Sequence, residues 1–156
     1  MIHLPYEKLL KEAELLNVKT FEMNMPKTTK GLYADNVIWL NKHLPTTNDK
    51  VCVLAEELGH YHTTTGDILD QSDVSNRKQE KQARNWAYKR LVPLHKIIKA
   101  FDAGVQSKYE LAEYLNVTEA FLLDALKRYK EEYGVSKTIN QHTIYFEPLA
   151  VVRIFD

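Results

Sequence analysis

The chain has 156 residues, with 21 Lys plus Arg against 21 Asp plus Glu and a formal charge of zero. That length fits one domain of ordinary size, or one with a small appendage. With 44% hydrophobic and 10% aromatic residues it can close a core, which excludes a disordered chain. Charge balance removes the overall basic surplus on which nonspecific phosphate binding depends, so any face for nucleic acid or anionic membrane must be local.

The single Cys52 cannot form an internal disulfide, and its apolar run Val51-Cys52-Val53-Leu54 predicts a buried, inert thiol. Met1-Ile2-His3-Leu4-Pro5 is followed at once by Glu7, Lys8, Lys11 and Glu12, which leaves no apolar signal core. No apolar run of roughly 18 residues occurs anywhere, and the expectation is a soluble, cytoplasmic protein.

In chain order, Tyr6 to Leu16 places Leu9, Leu10, Ala13 and Leu16 at helical spacing between charged residues, with Asn17 as the stop. Three stretches of strand character follow: Val18 to Met23, Gly31 to Ala34 and Val37 to Leu40, the last two joined by the turn pair Asp35-Asn36. They read as a small antiparallel sheet. From Asp49, Val51, Leu54, Ala55 and Leu58 recur at helical intervals until Thr63-Thr64-Thr65-Gly66, a helix of about three turns. Asp67 to Asn76 is polar and reads as a loop. Helical spacing resumes from Lys78 to about Leu91 and stops at Pro93. Further helices are predicted over His95 to Ala103, Ser107 to Tyr114 and Thr118 to Tyr133, with Gly104 and Gly134 as punctuation. The closing stretch Thr143 to Phe155 is rich in Ile, Tyr, Phe and Val, with Pro148 restricting part of it to an edge or bend.

The densest cluster of reactive side chains is Leu54-Ala55-Glu56-Glu57-Leu58-Gly59-His60-Tyr61-His62. At about 100° per residue from Glu56, His60 falls at about 40° and Glu57 at about 100°, whereas Leu54, Leu58 and Val51 fall between about 160° and 220°. Glu56, Glu57 and His60 therefore share one face. Residues four apart stand one above the other, which lets one helix give two ligands to one metal while the residue after the first aims at a water on it. In the zinc-peptidase pattern His-Glu-x-x-His, both His bind zinc and the Glu is the general base. Here the register is Glu56-Glu57-x-x-His60, with Glu in the first ligand's place. A carboxylate oxygen ligates zinc at about 2.0 to 2.2 Å, but the added negative charge makes the bound water a weaker acid.

A third ligand is needed, and Glu80 on the next helix is the best candidate. Ala83 and Ala87 lie on its stripe and are small enough to let that helix pack close. His62 is a rival, but it points about 200° away from His60 on a regular helix. Asp67, Asp70 and Asp73 read as solvated acids, and His3, His43, His95 and His142 have no partner at ligand spacing.

Four segments taken in order resemble the ImmA/IrrE family of metallopeptidases: Lys30-Gly31-Leu32-Tyr33-Ala34; Val37-Ile38-Trp39-Leu40-Asn41; Val53 to Tyr61; and Glu80-x-Gln82-Ala83-x-x-Trp86-Ala87 with Leu91-Val92-Pro93. The resemblance covers roughly residues 28 to 130. It implies a zinc-peptidase-like fold in which a small sheet flanks the motif helix and a Glu of the following helix completes a Zn2+ site. Glu57 then matches the catalytic base, His60 the second ligand and Glu80 the third; Glu56 occupies the first ligand's place and departs from it. Relatives of this type are typically encoded by phages, prophages and integrative elements, and promote cleavage of phage-type repressors in the bacterial host cytoplasm.

Downstream, Ser107 to Tyr129 has helix-turn-helix form, with the turn at Asn116-Val117. The second helix opens with Thr118, Glu119 and Asp124 rather than donors and positive charge, and residues 97 to 134 hold five basic against seven acidic side chains. That is a poor phosphate surface, so the module reads as a packing or partner-recognition element. The expectation is an α+β protein: a zincin-like core over residues 1–96 with a small antiparallel sheet, a helical module over 97–134, and an extended segment over 135–156. The leading function is a metal-dependent endopeptidase acting on a repressor protein. The alternatives are a catalytically silent antirepressor acting by association and, third, a DNA-binding regulator.

Overall fold

A computed structural model describes residues 4–64 and 73–154, the side chains of residues 73–75 excepted. The fold is α+β, and the chain divides into two compact units, Met1–Arg90 and Leu91–Asp156. Asp67, Asp70 and His3 lie outside the described residues, as does the side chain of Asp73. Among the described residues no helix is long and apolar enough to cross a membrane.

The first unit opens with α1 (Leu4–Leu15), which buries Leu9 and Ala13. It stops where expected: Asn17 takes a left-handed φ of 61°, and the Val18 amide turns back to donate to the Ala13 carbonyl. Strands β1 (Lys19–Met23), β2 (Gly31–Ala34) and β3 (Val37–Asn41) form one sheet in the order β1-β3-β2. Strands β2 and β3 pair as an antiparallel hairpin through Asp35 and Asn36, both at positive φ, as a tight two-residue turn requires.

The expected antiparallel sheet is corrected by the outer pairing, since β1 runs parallel to β3, with Thr20 opposite Ile38 and Glu22 opposite Leu40. The connection over residues 24–30 carries the chain past β3, and the buried Asn41 at the end of β3 fastens it there. Its Nδ2 donates to the carbonyls of Met25, Pro26 and Thr29 at 3.2, 3.2 and 2.9 Å, while its Oδ1 accepts from the His43 amide. A hairpin between β1 and β2 is thereby excluded.

Helix α2 (Thr47–Thr63) is longer than its apolar spacing suggests, at 17 residues, because Thr46 and Asp49 close a capping box ahead of the first apolar position. It is buried at Val51, Cys52, Val53, Leu54, Ala55, Leu58 and Gly59, so the free thiol of Cys52 lies in the core. Helix α3 (Asp73–Leu91) takes in Asp73 to Asn76, which read as loop because a polar first turn shows no apolar period. Near its end Arg90 grips Glu12 of α1 through Nε at 3.1 Å and Nη2 at 2.7 Å to the same carboxylate oxygen.

The second unit holds α4 (Leu94–Asp102), α5 (Lys108–Leu115) and α6 (Glu119–Tyr133). Their limits follow local chemistry: Ser107 and Thr118 cap α5 and α6 by accepting from the amides of Glu110 and Phe121, and Asn116 ends α5 at a φ of 59°. The stretch expected as merely extended folds into a three-stranded antiparallel sheet, β4 (Ser136–Ile139), β5 (His142–Phe146) and β6 (Leu149–Arg153), in that order. Phe146 and Ile144 of β5 are fully buried, and the Phe146 ring lies 5.9 Å from Tyr129 of α6. The Tyr129 hydroxyl donates to the Val92 carbonyl at 2.8 Å within this core.

Candidate active site

Helix α2 is continuous through Thr63, so the spacing of Glu56, Glu57, His60 and His62 is that of a regular helix. Its apolar side chains hold it in the core of the first unit, while Glu56, Glu57 and His60 stay partly accessible. Helix α3 approaches very closely. Gly59 faces the Ala83 backbone so tightly that a Cβ there would stand 2.3 Å from the Ala83 carbonyl oxygen, and Ala83 and Ala87 are fully buried. At that seam the His60 Nε2 lies 3.2 Å from the Glu80 Oε1. His62 takes no part in that pair, because its ring stacks on Trp86 of α3 at 4.5 Å and 17°.

Glu57 is held on its other side by the sheet. Gly31 of β2 comes so near that a Cβ on it would stand 3.3 Å from the Glu57 Cγ and 2.7 Å from the Val53 Cγ1. Burial pushes the Glu57 carboxyl up to about 8, and the negative charges of Glu56 and Glu80 add to that rise. An aromatic wall borders the site: Tyr33 of β2 meets Tyr61 edge-on at 6.3 Å, and Tyr61 meets His62 edge-on at 5.0 Å.

Of the side chains picked out from the sequence, His60 and Glu80 touch, and Glu57 lies within electrostatic reach of both Glu56 and Glu80. Among the described residues no three His, Cys, Asp or Glu side chains stand together in a way that could hold a metal ion. The pair itself suits a shared cation. Two donors on one tetrahedral zinc, each about 2.1 Å from the ion, stand about 3.4 Å apart, close to the observed 3.2 Å.

The sequence model of the peptidase M78 family, described as the IrrE N-terminal-like domain, matches residues 13–127, well over half of the chain. The chain belongs to the ImmA/IrrE family. No curated protein matches it. Membership places the scaffold among metallopeptidase-type hydrolases and gives the α2 and α3 pair its significance. In this ImmA/IrrE-family chain the residues that sequence reasoning overlooked are Gly59, Gly31, Tyr33, Tyr61 and Trp86. A glycine inside a helix costs about 1 kcal/mol against alanine, so Gly59 was the readable signal of a close approach. The aromatic wall left no such signal, because its members come from three separate elements.

Proposed function

We propose that this chain is a metal-dependent endopeptidase of the ImmA/IrrE type, acting on a phage-type repressor in a bacterial cytoplasm and so inducing the element that encodes it. The observation that carries this reading is the 3.2 Å meeting of His60 with Glu80, beside Glu57 and on a family scaffold. His60 and Glu80 would hold a zinc ion, with the Glu56 carboxylate, one helical turn before His60, turning in as the third donor when the ion binds. The chemistry such an ion supplies is polarisation of the scissile carbonyl and acidification of a water. The positive charge of a bound ion would oppose the burial that raises the Glu57 pKa and keep the carboxylate ionised. Glu57 would then accept a proton from the attacking water as the C–O bond forms and deliver it to the departing amine as the C–N bond breaks. Metal analysis of the purified protein should find about one zinc per chain, reduced by His60→Ala and by Glu80→Ala. Unchanged content in both variants would rule out this metal site.

A second reading is favoured by a specific departure: Glu56 stands where the motif has its first His, and no described trio of donors forms. The protein would then be a catalytically silent antirepressor that binds its repressor and acts by association. Glu57→Gln separates the two. Repressor inactivation that persists undiminished excludes hydrolysis as the mechanism, whereas its loss with binding retained excludes association. The net acidic residues 97–134 support a protein partner over DNA in either case.

A further inference from the structure

We infer that Gly59 is a positioning residue for the candidate metal pair: the missing Cβ sets the distance between α2 and α3 at which Glu80 reaches His60. The inference rests on the metal-site reading above and adds a residue that touches neither the ion nor the substrate. Gly59 has an ordinary helical conformation, since among the described glycines the positive φ values belong to Gly104 and Gly134. The helix continues past it, and the Thr63 hydroxyl donates to the Gly59 carbonyl at 2.7 Å as in an unbroken turn. Neither a turn nor a kink therefore accounts for glycine at this position.

The contact does account for it. An ideal Cβ on Gly59 would stand 2.3, 2.9 and 3.0 Å from the carbonyl oxygen, carbonyl carbon and Cα of Ala83. All three are backbone atoms of α3, and none can rotate aside. Ordinary carbon contacts begin near 3.5 Å, so a methyl group at residue 59 must push α3 away by about 1 Å. His60 is the next residue on α2, and Glu80 lies three residues before Ala83 on α3, so the displacement falls on the 3.2 Å pair. The His62 and Trp86 stack also lies along this seam, but it is a face-to-face contact that can slide, whereas the glycine contact is a hard stop.

The test uses the full chain, with zinc affinity measured by competition against a chromophoric chelator. Glu80→Ala should weaken zinc at least tenfold, Gly59→Ala should weaken it to a similar degree, and the double variant should be no weaker than Glu80→Ala alone. A Gly59→Ala loss repeated in full on the Glu80→Ala background would mean general damage and would overturn the inference, as would unchanged affinity in Gly59→Ala. The 15N shifts of the His60 ring in metal-free protein give a reading independent of zinc. Glu80→Ala and Gly59→Ala should move them alike; movement in the first without the second overturns the positioning role and leaves the metal site standing. Zinc binding unaffected by both His60→Ala and Glu80→Ala, with the ring shifts still responding alike, removes the metal site and leaves the positioning role. If Gly59→Ala does not fold, Trp86→Ala decides. It opens space without wedging the helices, so its zinc affinity should fall less than in Glu80→Ala; an equal fall would assign the spacing to the stack and overturn the inference.

Discussion

Gly31 and Glu57 are so close across the junction of β2 and α2 that a single methyl group on the glycine would press on the glutamate stem at 3.3 Å. The same methyl would stand 2.7 Å from the Val53 Cγ1 and 3.2 Å from the Trp39 carbonyl oxygen, and neither neighbour sits at the free end of a long side chain. Gly31→Ala should therefore cost about 1–3 kcal/mol through overpacking. Chemical denaturation with an unchanged m-value checks this, and an unaffected midpoint would show that β2 can slide away from α2.

Asn41 is the second test, because it holds the connection that makes the first sheet mixed. Asn41→Ala leaves three carbonyl oxygens without their shared donor and should cost about 2–3 kcal/mol. Asn41→Asp should be worse, since it sets carboxylate oxygens against the same three carbonyls at nearly unchanged volume. Urea unfolding of the three proteins would show the order; an aspartate variant more stable than the alanine variant would mean that the donor role is misassigned.

That same side chain explains which parts of the fold were legible in the sequence. The helices of the second unit could be placed to within a residue or two because their limits are local: Ser107, Thr118, Asn116 and Gly134 act on neighbours a few residues away. The direction of β1 was not legible, since it depends on where residues 24–30 are pinned by a residue more than ten positions later. Strand β4 was missed because Ser136-Lys137-Thr138-Ile139 is half-exposed and has no run of apolar residues, and it becomes a strand by pairing with β5. In the site, helical geometry alone put Glu56, Glu57 and His60 on one face. The small stripe of Ala83 and Ala87 pointed to Glu80, but the depth of the approach lay in Gly59, whose contact is made wholly with the backbone of another helix.

Tyr129 carries a prediction about pH. Its hydroxyl is buried and donates to the Val92 carbonyl, and burial raises its pKa above the usual tyrosine value, with Tyr133 and Glu132 adding to the rise. For an acid whose folded pKa is raised, folding favours the protonated form. Stability is then held in full below pH 10, near the unfolded pKa, and is lost as the pH rises beyond it. Tyr129→Phe should cost about 1–3 kcal/mol at neutral pH by leaving a buried carbonyl without its donor. It should also show a shallower decline above pH 10 than the parent. Denaturation midpoints between neutral pH and pH 11 test both halves, and parallel declines would locate the alkaline sensitivity elsewhere.

Glu56→His restores the imidazole that the metallopeptidase motif has at its first position. If the Glu56 side chain faces the same ion as His60 and Glu80, the change exchanges an anionic ligand for a neutral one of suitable length, and a neutral nitrogen leaves more positive charge on the ion. The bound water should become the stronger acid, so the pH at which repressor cleavage reaches half its maximum should fall. Zinc affinity should change by roughly tenfold, about 1.4 kcal/mol, in either direction, because lost charge attraction opposes gained nitrogen donation. Glu56→Ala, which offers neither donor, should bind zinc more weakly than both. Chelator competition on the three proteins decides the matter: equal affinities in all three, with His60→Ala still impaired, would mean that residue 56 faces away from the ion and that the protein holds it with a different third donor.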